Sequence, residues 1–298
     1  MRKMTFAVVA ALALSVLAFA QGGAKQSSET KRAEEILKAA RNALGGEAKL
    51  KAVQSLSANG KYRRVISGND VSGEIEFNFS MPDKYMKNET MLPAPSISIS
   101  SIDIVNGGNI ILDSRTSGPG HIVFSRPGGP NATPEQRAAA ERAVREEYTR
   151  LLVSWLLTAP SAYPVEFKYA GEAEAPDGRA NVLALTGQGG FSAHLFLDQK
   201  SNLPLMISYK GIAPRLAMQT NGGVMTGEDL QKKIKDQMDK NPSGIVEYQL
   251  RFSEYRAVDG VLVPFHITKS MGGEVSEEWH ISKYKVNSPI SPDKFAKK

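Results

Sequence analysis

The stretch SGIVEYQLRFSEYRAVDGVLVPFHITKSMGGEVSEEWHISKYKV, residues 243–286, decides the fold. In it apolar residues occupy every second position of three successive segments, separated by two tight turns, Asp259-Gly260 and Gly272-Gly273. Val246, Tyr248, Leu250 and Phe252 point one way along the first segment, while Glu247, Gln249, Arg251 and Ser253 point the other. Segments of this kind joined by two-residue turns make an antiparallel sheet with one dry and one wet face. The dry face must be covered by helices, by another sheet or by a ligand.

Upstream the same period recurs. Val71, Gly73, Ile75, Phe77 and Phe79 alternate with polar residues, and Gly68-Asn69 reads as a hairpin turn from a strand near Leu56 to Ile66. Further strands are expected at residues 84–91, 96–105, 109–114 and 121–125, and then near 165–170, 181–187, 191–198 and 203–210. In the second of these Ile97 and Ile99 fall out of phase with Ile102 and Ile104, which predicts a bulge near Ser100-Ser101.

Helical patterns frame the strands. From Glu29, residues Ala33, Ile36, Leu37, Ala40 and Leu44 share a face that ends at Gly45-Gly46, and a short turn follows at 47–53. Thr133 and Gln136 form a capping box with Pro134 at the first helical position. Val144, Tyr148, Leu151, Leu152, Trp155 and Leu156 then make an apolar stripe that stops before Pro160. Residues 211–243 break the strand pattern and read as a helical insertion, with a charged helix near 228–240. No internal repeat and no linker divides the chain, so residues 29–298 read as one domain.

The N-terminus predicts export. Arg2 and Lys3 precede an apolar run from Phe6 to Leu17, and Ala18-Phe19-Ala20 supplies a cleavage site ahead of a polar leader at 21–28. The run is shorter than the roughly 20 residues a spanning helix needs. Cleavage would remove two basic residues and lower the net charge from +6 to +4. That mild, scattered excess, with no basic run interleaved with aromatics, argues against nucleic acid as a partner. The chain has no cysteine, so it forms no disulfide and carries no acylated cysteine; its stability must come from a core.

Catalytic patterns are missing. His121, His194, His266 and His280 lie too far apart in sequence for HExxH or a related metal set. Gly189-Gly190-Phe191-Ser192-Ala193 only superficially resembles a nucleophile elbow, and the glycine clusters match no phosphate-binding loop. Carboxylate pairs such as Glu74 with Glu76, and Glu277 with Glu278, read as wet-face charges on strands. Neither a catalytic group, a metal nor a cofactor is therefore expected. The remaining signal is apolar excess: a curved sheet covered by helices leaves a hollow, lined by Ile75, Phe77, Phe79, Leu151, Trp155, Val246, Tyr248, Leu250, Phe252, Phe265, Ile267 and Trp279, suited to acyl chains. The alternative is that these residues simply pack as core.

The segments GEIEFNFSMPDKY (73–85), DQKSNLPLMISYKG (198–211), VDGVLVPFHIT (258–268) and NSPISPDKF (287–295), behind a helix ending in Gly-Gly, resemble the periplasmic lipoprotein-carrier superfamily of LolA/LolB-like and RseB-like proteins. The resemblance implies an α+β, mainly antiparallel fold, an unclosed half β-barrel capped by helices. It also implies periplasmic binding of lipid or lipoprotein acyl chains, with an inner- or outer-membrane protein as a further partner. Its sensor branch implies instead a partner protein as the main ligand. An early-strand arginine holds the lid helices in the carriers, and Arg63 and Arg64 are the two candidates here. Met218, Met225 and Met238 lie in or beside the insertion, where methionine suits a surface that adapts to varied apolar shapes, so Ala213 to Met238 is expected to act as a lid. A surface insertion without that role is the alternative.

Overall fold

A computed structural model describes residues 28–66, 69–94, 96–118, 128–129, 132–175, 178–212 and 244–296. The expected signal peptide and leader up to residue 27, the strand at 121–125, the helix near 228–240 and the lid at 213–238 lie outside them. Helix α1 spans residues 28–43 and α2 spans Glu47–Lys51. Five strands follow: β1 (Ser55–Ile66), β2 (Asn69–Ser80), β3 (Lys84–Ala94), β4 (Ile97–Asn106) and β5 (Asn109–Ser117). After α3 (Pro134–Leu156) come β6 (Val165–Ala175), β7 (Gly178–Gly187), β8 (Ser192–Asp198), β9 (Pro204–Ile212), β10 (Ile245–Val258), β11 (Val261–Met271) and β12 (Glu274–Val286).

The strands form one twelve-stranded sheet in the order β5-β4-β3-β2-β1-β12-β11-β10-β9-β8-β7-β6, antiparallel at each junction. It is therefore two meanders sewn together where β1 meets β12, with Gly60 opposite Ile281. The order begins at β5 and ends at β6, so the sheet curls without closing, an unclosed half-barrel. The turns expected at 259–260 and 272–273 both have positive φ at both residues, the twist that suits two-residue hairpins.

Helix α3 fills the hollow. Its capping box is formed, Gln136 N–H donating to Thr133 Oγ1 and Thr133 N–H to Gln136 Oε1. Its apolar stripe is buried: Tyr148, Leu151, Leu152, Trp155 and Leu156 are at most 2 % exposed. The C-terminal end of α1 packs beside the C-terminus of α3 and the start of β11, where Leu262 N–H donates to Leu44 O at 2.8 Å and Arg41 Nη2 donates to Leu157 O at 3.0 Å. Gly45 does more there than end α1: its φ is +131°, and a Cβ would collide with the carbonyl oxygen of Gly260 in the β10–β11 turn.

The bulge expected at Ser100-Ser101 is absent. Strand β4 keeps register with β3 from Ile99 to Asn106 and with β5 throughout. The phase change has another cause. Ile97 and Ile99 face the main core, whereas Ile102 and Ile104 face outward into a small second cluster with Met86, Ile111, Ile290 and Phe295, under the C-terminal 3-10 turn Pro292–Phe295.

Candidate functional site

Ile75, Phe77, Phe79, Leu151, Trp155, Leu250, Phe252, Ile267 and Trp279 all belong to the main core, each at most 4 % exposed. Phe77 stands between Trp155 and Trp279, with ring centroids at 5.4 and 5.3 Å, and Trp155 meets Tyr284 edge-on at 5.8 Å. Val246, Tyr248 and Phe265 share the inner face nearer its margins; Phe265 packs edge-on to Tyr284. The expected lining residues are thus brought together as an aromatic floor in contact with α3. A polar cleft of about 360 Å³ lies elsewhere, between α1 and strands β6 and β7.

Above that floor the inner face changes character. On β3, Lys87 and Glu89 share the face of Tyr85 and Met91; Asp103 on β4 shares that of Ile99 and Val105; Glu277 on β12 lies two residues before Trp279; Lys269 on β11 lies two after Ile267. Lys87, Glu89, Asp103 and Glu277 are 6–9 % exposed. Lys87 Nζ lies 2.6 Å from Glu147 of α3 and 3.6 Å from both Glu89 and Asp103. Arg64 Nη2 donates to Glu89 at 3.0 Å and to Glu277 at 3.1 Å. Glu277 also accepts from Lys269 Nζ at 3.0 Å and from Trp279 Nε1 at 3.1 Å. Lys269 Nζ sits over Tyr248, Tyr248 stacks on Tyr209 at 5.2 Å, and the Arg150 guanidinium lies 3.8 Å from the Tyr209 ring. Arg150 pairs with Glu146 at 3.2 Å, next to Glu147, so the two ends of this chain of contacts meet on α3 and form a ring.

Each charge is set by its neighbours. Burial alone would raise Glu277, but the Arg64 and Lys269 cations overcome it and hold the carboxyl far below its ordinary value. Burial opposes ionisation of Glu89 and Glu147 too, and Arg64 with Lys87, and Lys87 with Lys269, reverse it. Burial would neutralise Lys87 and Lys269; the carboxylates around them raise both instead, so they stay protonated. A buried network of this kind is seldom more stable than well-packed apolar side chains of the same volume.

The reading of Glu277 as a wet-face charge is therefore corrected: its face is the concave one, while Glu278 pairs outside with Arg63 at 3.1 Å. Glu74 and Glu76 do face outward, and Glu76 binds Lys294 at 2.9 Å. The two arginine candidates separate in the same way. Arg63 points outward to Asp70 and Glu278; Arg64 points into the ring. Lys87, Glu89, Asp103, Glu147 and Lys269 escaped the sequence reading, although the alternation Tyr85, Lys87, Glu89, Met91 carries the first two on an apolar face. His266 and His280 stack at 4.5 Å on the convex side, His194 is exposed, and no metal-ligating group of three or more such side chains occurs among the described residues. Met218, Met225 and Met238 lie outside the described residues.

The class defined by this geometry is an open antiparallel half-barrel wrapped around a helix, with an aromatic floor and a charged mouth. No family model matches the sequence, and no curated protein is similar to it. Among solved structures the chain is similar to a putative outer membrane lipoprotein-sorting protein domain from Vibrio parahaemolyticus, at 11% identity and TM-score 0.44 over 88% of this chain and 97% of that one. It is similar to a LolA superfamily protein from Nitrosomonas europaea at 11% identity and TM-score 0.44, over 89% and 97%. It also aligns with the Pseudomonas aeruginosa MucA/MucB complex at 13% identity and TM-score 0.25, over 88% of this chain and 61% of that one.

Proposed function

We propose that this protein is a non-enzymatic binder of hydrophobic ligands, the acyl chains of lipids or lipoproteins, and that it carries them between envelope membranes in the periplasm. The observation that supports this reading is that a helix, and not a strand ladder, separates the apolar concave face from solvent. Helix α3 connects the edge strands β5 and β6 and packs against β4, β5 and β9, so the floor of Phe77, Phe79 and Trp279 is reached by shifting one helix without rupturing the sheet. Side-chain packing between helix and sheet re-forms more readily than a backbone hydrogen-bond ladder. An acyl chain inserted between the α3 stripe and the sheet would meet the same apolar surface.

The test is mass spectrometry of an organic extract of the purified protein, with titration of a fluorescent fatty acid and a fluorescent lipopeptide. Co-purifying acyl lipids and saturable uptake are expected. Repeated preparations that hold no lipid and take up neither probe would overturn the reading. Recovery of one envelope protein without acyl modification as the main ligand would favour the sensor role instead.

A further inference from the structure

The hydrogen-bonding capacity left over in the charged ring specifies what part of a ligand it can hold. Arg64 spends Nη2 on two carboxylates, but its Nε is buried and has no hydrogen-bond partner. The Tyr62 hydroxyl is in the same condition, on a side chain only 2 % exposed. The two lie together: the Arg64 guanidinium carbon is 5.1 Å from the centre of the Tyr62 ring. Gly73 on β2 makes room for that ring, since a Cβ there would come within 2.8 Å of Tyr62 Cε1. Burial, with Glu89 next in effect, raises the Tyr62 phenol, so it remains an O–H donor at neutral pH. Deeper in the hollow, Trp155 Nε1 is a third buried donor without a partner.

Charge decides which acceptor fits. Among the described residues, the three cations near the two donors, Arg64, Lys87 and Lys269, each pair with at least one of the carboxylates Glu89, Asp103, Glu147 and Glu277. These cations are already committed to carboxylates, so an incoming carboxylate or phosphate would meet Glu89 and Glu277 in a poorly hydrated site without an unpaired cation among the described residues. An uncharged acceptor suffers no such repulsion and satisfies donors that are otherwise costly to leave unmade.

We infer that Tyr62 and Arg64 bind the carbonyl oxygens of an acyl linkage, ester or amide, so that the protein selects esterified or amidated acyl chains over free fatty acids. This rests on the acyl-binding reading above. The linkage would sit at the ring and its chain would run down over the aromatic floor.

The experiment uses the full chain after delipidation and measures displacement of a fluorescent fatty acid at pH 8 by monopalmitoylglycerol and by palmitate. The ester is expected to bind about tenfold more tightly than the acid. Tyr62→Phe, which keeps the ring, should shrink the ester-to-acid affinity ratio about five- to tenfold, the worth of one hydrogen bond to a neutral acceptor. Palmitate binding as tightly as the ester in the unaltered protein, or an unchanged ratio in Tyr62→Phe, would overturn the inference and leave the carrier reading standing. Uptake of neither probe would remove both.

Discussion

Lys87→Met is the sharpest probe of the charged ring. Lys87 is 9 % exposed, and its ammonium is the shared counter-ion of Glu147, Glu89 and Asp103. Methionine fills much the same volume, so the change removes charge with little loss of packing. Glu89 keeps Arg64, whereas Glu147 loses its 2.6 Å partner while most of its side chain remains out of water. Breaking a buried pair from one side typically costs about 3–5 kcal/mol, a large part of the roughly 5–15 kcal/mol by which domains are stable. With a urea dependence of about 3 kcal/mol/M, the midpoint should fall by about 1–1.7 M at pH 8. The pH dependence gives the mechanism. In the native protein burial raises Glu147 and the Lys87 charge outweighs it, keeping the carboxyl below its unfolded value. Without Lys87 only burial and the more distant cations remain, so the folded variant takes up a proton more readily than the unfolded chain. Its deficit should therefore shrink between pH 8 and pH 5. A second replacement, Glu147→Met in the same chain, should recover at least half of the loss. Circular dichroism during urea unfolding reads all three quantities. A deficit under about 1 kcal/mol, or one that does not change with pH, would refute the account of the ring as a coupled buried network.

Other expectations follow from single contacts. The lowered carboxyls of Glu89, Glu147 and Glu277 contribute stability that is fully present above the unfolded value of about 4.3 and is lost as pH falls below it, so urea midpoints of the unaltered protein should drop steeply under pH 4. Gly45→Ala adds a Cβ against the Gly260 carbonyl at a φ of +131°, and should cost at least about 2 kcal/mol in thermal or urea unfolding. Thr133→Ala removes the α3 cap and should cost about 1 kcal/mol in the same assay. Phe77→Ala leaves a void between Trp155 and Trp279, with an expected loss of about 3–5 kcal/mol and a change in tryptophan fluorescence.

The strands were legible because period-two alternation is a direct image of a sheet with one dry face. Val246 to Phe252 and Val71 to Phe79 state their inner faces without ambiguity, and Asp259-Gly260 fixes a turn by the backbone angles it allows. The α3 stripe was legible for the same reason at a period of 3.6. What the sequence hid is whatever departs from a single-sided rule. Ile102 and Ile104 are apolar on the convex face, because the C-terminal turn around Phe295 comes back to cover them; nothing within β4 announces that partner. Lys87, Glu89 and Glu277 are charged on the concave face, and a charge on a strand carries no label of direction unless its neighbours two residues away are read with it. Their partners lie on β1, β4, β11 and α3, so the compensation that makes burial tolerable exists only in three dimensions.

The junction of β1 with β12 also shapes how the molecule can assemble. Among the described residues every other ladder joins strands that are consecutive in sequence, and each half could zip along its own hairpins, through short loops everywhere except between β9 and β10. One ladder alone joins residues more than two hundred positions apart, as in Gly60 with Ile281. The slow search in folding is thus concentrated in a single seam at the middle of the sheet. During synthesis from the N-terminal end, β1 must wait with an unpaired edge until β12 has emerged. A chaperone that shields β1 in that interval, or a peptide copy of β12 added in trans, would act on this one step and leave the hairpins of both halves untouched.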